Sequence, residues 1–450
     1  MTAWRSKRSA RTMAALAATT GVCASLLTGC GMLPGDARAD EGTVTVMTWA
    51  PEGTRATNMP GMPAMAQAYA RWVNATGGIN GRTLRVLTCN DHNNSVGAAR
   101  CADRARTEEA VAVVGSYSQH GRTFMTALES AGIPYLGGYG VTDEEFTSPL
   151  SYPVNGGQAT LLAGSGHQLA DHCERVSLVR PDTVSGDQLP RLLNAGLATA
   201  GDRGPAADIR APEDASAYTE HARRALAGVG LTEDGAGDGV RTAGGTEGGQ
   251  GGGQDGEAEG ACVTAVLGGR TDTFFDSFRR LREGGPGVRI ASVLGSVQQS
   301  LVDRTGGPDS QWEGAYATGW YPVSSDPRWA RMKSVIREHA FGDNRIDAAD
   351  PGVQTTWIAY TVLRAALEHT EGPVTARTVR RALETMPPVD TGDLTPRLSW
   401  RYEDMLAVRD HPRLVNAKVT FQQVRKGTMT PAREGFVDVR DTLETVPDGG

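Results

Sequence analysis

Four short runs, TVTVMTWA (43–50), TLRVLTC (83–89), AVAVVG (110–115) and IPYLGG (133–138), decide how this chain is read. Each is rich in β-branched or apolar residues, and helical patterns separate them. Met62, Met65, Ala66, Tyr69, Trp72 and Val73 recur at spacings of three and one, which places them on one face of a helix. Gly77-Gly78 ends that helix, and Asn80-Gly81 marks a tight turn. Further helices are expected over about 96–107 and 121–131. Strands separated by helices need parallel crossovers, so this region predicts a parallel sheet covered on both faces.

The alternation recurs downstream. RVSLVRP (175–181), ACVTAVLGG (261–269), VRIASVLG (288–295) and AYATGWYP (315–322) read as strands. Helices are expected at 158–171, 187–199, 215–228 and 272–283, then at 326–340, 352–369 and 375–386. VNAKVTFQQVRKGTMT (415–430) resembles a closing hairpin. Two α/β lobes fit the 450 residues. Between them in character stands 228–260, where fourteen of 33 residues are Gly and seven are acidic. Such a stretch buries too little apolar area to offset its ordering entropy and reads as a disordered surface insertion.

The first 30 residues are an address. Residues 1–12 are cationic, and MAALAATTGVCASLLTG (13–29) is apolar or small, the pattern of a secretory signal. The run is too short for a bilayer span. It ends in Leu27-Thr28-Gly29-Cys30, which resembles a bacterial lipobox and implies cleavage before Cys30 and lipidation of its thiol. Residues 31–42 then read as a tether to the membrane. Four cysteines would remain in an oxidising compartment, with three possible connectivities. The preferred pairing is Cys89–Cys101, across a strand end and the next helix, with Cys173–Cys262, at the starts of two strands of the second lobe.

Net charge is −7, and −11 once the four cations of the signal are gone. That balance argues against nucleic acid as a partner. No Gly-x-Ser-x-Gly elbow, His-Glu-x-x-His or Walker A loop is present, and no cysteine pair has zinc-site spacing, so neither an enzyme nor a metal or other cofactor is expected. Asp143, Glu144 and Glu145 read as a solvated helix start.

The order strand, polar loop, helix, Asn74 to Arg82 with its Gly-Gly-Ile-Asn-Gly core, strand, Asp91, helix, Val113-Val114-Gly115-Ser116, helix and Gly132-Ile133-Pro134 resembles the leucine-binding family. These are type I periplasmic solute-binding proteins of branched-chain amino acid ABC importers. The resemblance implies two doubly wound parallel-sheet lobes joined by a three-crossing hinge, with ligand held between them. Lobe 1 is then expected over 43–155, with about 320–395 returning to it. Lobe 2 covers 156–319 with about 396–431, and 432–450 is left as a tail. The implied partners are a small-molecule ligand, an ABC permease and, through Cys30, the membrane; the chain is expected to act as a lipid-anchored monomer outside the cytoplasm. A ligand-sensing lipoprotein that signals to a receptor is the second reading, and a hydrolase on the same fold the third.

Ligands of open parallel sheets sit beyond the C-terminal strand ends, where loops offer free N–H groups. Ser116, Tyr117 and Ser118 at a helix start suit a carboxylate, and Tyr139-Gly140 offers an aromatic wall with close backbone approach. Matching the family adds Asn58, Val141, Ser185, Arg270 and the loop 295–296 as cleft residues. The sequence departs from the family where an acid would pair with a ligand ammonium, since that loop reads Leu294-Gly295-Ser296-Val297. An anionic or neutral polar ligand, such as an acid contacted by Arg270, is therefore expected, because a buried ammonium without a counter-charge is costly.

Overall fold

The computed structural model describes residues 42–201, 204–231, 260–282, 287–293 and 295–446. The signal, Cys30, the tether up to residue 41 and residues 232–259 of the glycine-rich insertion lie outside the described residues, as does Leu294.

The first sheet holds β1 (Thr43–Trp49), β2 (Thr83–Cys89), β3 (Val113–Val114), β4 (Tyr135–Leu136) and β5 (Ser151–Tyr152). All neighbours are parallel in the order β2-β1-β3-β4-β5. Only two residues of AVAVVG and of IPYLGG are regular strand, yet strand-to-strand bonds continue beside them, Val111 N to Thr45 O at 2.8 Å and Gly137 N to Tyr152 O at 2.9 Å. The second sheet holds β6 (Arg175–Pro181), β7 (Ala207–Ala211), β8 (Ala261–Ala265), β9 (Arg289–Val293), β10 (Tyr316–Gly319), β11 (Lys418–Arg425), β12 (Thr428–Pro431) and β13 (Val437–Asp438). Its order is β12-β11-β10-β9-β8-β6-β7, with β13 beside β11. From β6 to β10 the pairing is parallel, and β11 and β12 add antiparallel strands. Their turn is Lys426-Gly427, both at positive φ, as a two-residue hairpin with the right twist requires.

Each parallel set therefore has the order 2-1-3-4-5, reversing between its first and third strands. Helices cover both sheets. Gly61–Ala75 packs against β1, β2 and the helix Pro351–His369, and Gly157–Ala170 packs against β10, β11 and the helix Leu189–Leu197. Three segments join the sheets, near 153–156, 320–322 and 413–417. They are tied together: Asn155 Nδ2 donates to the Tyr321 hydroxyl at 3.1 Å, Tyr321 bonds Thr355 Oγ1 at 2.9 Å, and Asn416 Nδ2 donates to Val154 O at 3.3 Å.

Three elements differ from the sequence reading. β7 is an additional strand, a five-residue edge whose Asp208 and Arg210 face outward. The segment read as a tail carries β13 and the helix Arg440–Glu444, which packs on Gly157–Ala170. Glu145 is buried rather than solvated, at 2% exposure. The disulfides are Cys89–Cys101 and Cys173–Cys262. Among the described residues, no helix is long and apolar enough to cross a membrane.

Candidate functional site

The C-terminal ends of both sheets face one cavity of about 180 Å³. The loop after β1 supplies Thr57 and Asn58, the loop after β3 Tyr117 and Gln119, and the loop after β4 Tyr139 and Val141. From the second sheet, Pro181, Ser185 and Gly186 follow β6, Glu213 follows β7, Gly268 and Gly269 follow β8, and Gly295 and Ser296 follow β9. Gln158 and Leu162 come from the helix at the first crossing, and Asp350 caps the helix Pro351–His369. Both strand-order reversals thus open onto the same space, where diverging loops leave a crevice.

Tyr117 and Tyr139 form the aromatic wall. Their rings meet edge to face at 5.2 Å, and Tyr139 meets Trp320 likewise at 5.0 Å. Burial pushes both phenols well above their usual range, so they remain neutral hydroxyls. Gln119 Nε2 bridges the lobes, donating to the Tyr117 hydroxyl at 3.1 Å and to Glu213 Oε1 at 3.2 Å. Two more bonds cross the crevice, Arg270 Nη2 to Arg55 O at 2.8 Å and Gln188 Nε2 to Asp143 Oδ1 at 2.9 Å.

Two carboxyl side chains line the cavity. Asp350 Oδ1 accepts from Gly352 N at 2.6 Å and Val353 N at 3.2 Å. Burial nevertheless raises its pKa to about 6, and nearby Asp347 adds to the rise. Burial also raises the Glu213 carboxyl, against the Gln119 hydrogen bond.

The loop behind the wall is shaped by Glu145. Its carboxylate accepts from Gly140 N at 3.0 Å, Val141 N at 2.9 Å and Thr142 N at 3.1 Å. Gly140 has φ +86°, and a Cβ there would collide with Gly157, so glycine is required where the loop meets the crossing helix. Burial raises the Glu145 pKa to about 7, while the three N–H donors hold it down. The second lobe is gathered by Arg180. This 2%-exposed guanidinium donates to both Asp208 oxygens at 2.8 and 2.9 Å and to Asp187 at 2.9 Å, joining β6, β7 and the loop that carries Ser185.

Of the residues singled out in the sequence, Asn58, Tyr117, Tyr139, Val141, Ser185, Gly295 and Ser296 are on the cavity lining, and Ser116, Ser118, Gly140 and Arg270 are not. Ser116 Oγ accepts from Trp49 N at 3.0 Å and so ties β1 to the loop after β3. Ser118 Oγ accepts from His120 N at 3.2 Å, a turn bond ahead of the helix. The Gly140 N–H is taken by Glu145, and the Arg270 guanidinium is held at the rim by the Arg55 carbonyl. Glu213, Asp350, Gln119 and Gln158 were missed. For Asp350 the signal was present: Asp-Pro-Gly before a helical pattern is an N-cap followed by proline in the first turn.

The sequence signature described as "periplasmic binding protein" matches residues 42–428, and the chain belongs to that family. No curated protein sequence matches significantly. Solved structures share the fold. A substrate-binding periplasmic protein from Ralstonia solanacearum is 18% identical with a TM-score of 0.66, covering 86% of this chain and 99% of its own. A branched-chain amino acid ABC transporter protein from Thermus thermophilus with bound valine is 14% identical, TM-score 0.67, over 88% and 97%. A solute-binding protein from R. palustris in complex with 4-hydroxybenzoate is 13% identical, TM-score 0.64, over 88% and 97%.

Proposed function

We propose that this protein is an extracytoplasmic solute-binding lipoprotein that captures a small polar metabolite between its lobes and delivers it to an ABC importer. The single observation that carries the reading is the cavity walled by the strand-end loops of both sheets and roofed by hydrogen bonds from lobe to lobe. Ligand bound there touches both lobes at once, so its binding energy favours the closed arrangement over an open one. A permease that recognises the closed form would read occupancy. The solved relatives with valine and with 4-hydroxybenzoate support a small organic ligand in this class of cavity. The lipid on Cys30 would keep a monomer near the permease, and two disulfides suit an oxidising compartment.

The test is a thermal-shift screen of the chain against amino acids, small acids, amides and amines. A true ligand at 100-fold its dissociation constant should add about 2.7 kcal/mol of stability. Labelled fatty acid should enter the wild type in the producing bacterium and not the C30A variant. A chain that no solute stabilises and that takes up no lipid would end the proposal.

A further inference from the structure

The cavity's own chemistry narrows the solute, given the solute-binding reading above. Its two carboxylates are Glu213 and Asp350, and no Lys, Arg or His among the described residues lines it. Glu213 is joined to the aromatic wall through Gln119, which donates to it and to the Tyr117 hydroxyl, and Asp350 shares the lining with Tyr139. The Gln158 carboxamide also lines the cavity, and its Oε1 has no hydrogen-bond partner. The guanidinium that the sequence offered, Arg270, is not on the lining and donates to the Arg55 carbonyl at 2.8 Å.

Several backbone donors at the cavity are taken as well. The N–H groups of Tyr117, Tyr139, Gln158 and Ser296 donate to Trp49 O, Ser116 O, Gly140 O and Val293 O. Those of Gly140, Val141 and Thr142 would make a concave anion site, but Glu145 already fills it with a carboxylate of the protein's own. A solute carboxylate would meet two like charges and find these donors taken. Partly buried carboxylates without a counter-ion are costly, and the cost falls when a cation enters. The neutral phenol faces add a surface that attracts a cation.

We propose that the solute is a small organic cation, carrying an ammonium or guanidinium group and no carboxylate, held by Glu213 and Asp350 against the Tyr117–Tyr139 wall. The class is opposite in charge to the acid that the sequence suggested.

Isothermal titration of the detergent-solubilised full chain tests this with putrescine, agmatine and choline as cations, leucine as zwitterion, benzoate as anion and acetamide as neutral solute. At least one cation should bind tenfold or more tightly than leucine, benzoate or acetamide. The E213Q and D350N variants should each weaken that cation tenfold or more; asparagine still caps the helix, so D350N should fold. Affinity should also rise from pH 5 to pH 7.5 as Asp350 ionises, and D350N should flatten that rise. Leucine, benzoate or acetamide binding as tightly as every cation would overturn the inference, as would two variants that keep affinity within twofold. If no member of any charge class binds, the inference fails, and the thermal-shift screen above decides whether solute capture fails with it.

Discussion

In the first lobe, the loop carrying Tyr139 and Val141 is gathered around a buried carboxyl group, Glu145. In the second, the loop carrying Ser185 is gathered around a buried cation, Arg180. The partners differ as well. Glu145 is satisfied largely by backbone N–H groups, whereas Arg180 is satisfied mainly by the side chains of Asp187 and Asp208. The first arrangement uses up amides that could have held an anionic solute. The second joins an edge strand to the sheet and so places Glu213 at the cavity. Two loops of similar role thus give the site one sign of charge, the first by removing donors and the second by presenting an acid.

The comparison can be broken at its staples first. Each lobe has one disulfide, closing sequence separations of 89 residues (Cys173–Cys262) and 12 residues (Cys89–Cys101). Loop entropy predicts losses of about 4.6 and about 2.8 kcal/mol for the respective double serine variants. Denaturant unfolding of the two variants checks both the order and the gap.

The E145A variant should come next, at about 3 kcal/mol, because three buried N–H groups lose their acceptor. Solute affinity should fall with it, since the Tyr139 loop loses its frame. The native carboxyl keeps its proton to about pH 7 against an ordinary 4.5, so Glu145 makes stability fall as pH rises through that window. The E145Q variant should remove this slope, which chemical denaturation at pH 4.5 and 7.5 would measure.

R180M should cost less, about 2 kcal/mol. Methionine retains much of the packing, and Asp187 and Asp208, partly exposed, can rehydrate. Its sharper effect should be on solute affinity, read by titration, because Glu213 loses the strand that positions it. The smallest change belongs to R270A, whose rim contact should be worth under about 0.5 kcal/mol. Affinity for the solute should stay within twofold.

The alternation of β-rich runs with amphipathic helices made the two sheets legible, because burial on both faces leaves strands such as Ala261–Ala265 nearly continuous in apolar residues. β7 escaped because it is an edge: Ala-Asp-Ile-Arg-Ala buries one side only, and its Asp208 serves Arg180 from the other. Missing β7 hid Glu213, two residues past its end. Glu145 escaped for another reason. Three acids in a row at a helix start look solvated, and nothing local shows that the third turns inward onto the amides of Gly140 to Thr142. Cavity residues that follow a strand directly, such as Tyr117 and Tyr139, were readable from the topology. Neighbours whose side chains instead serve a partner far along the chain, such as Ser116 with Trp49, could not be told from lining residues.

The clasp between Cys173 and Cys262 has a practical corollary. The two cysteines flank the glycine-rich stretch, and Gly260 O accepts from both Glu174 N and Arg175 N at the point where the chain re-enters β8. A protease cut anywhere from 232 to 259 would therefore yield two polypeptides that remain a single covalent species. They would migrate together on a non-reducing gel and part only when the sulfur bridge is reduced.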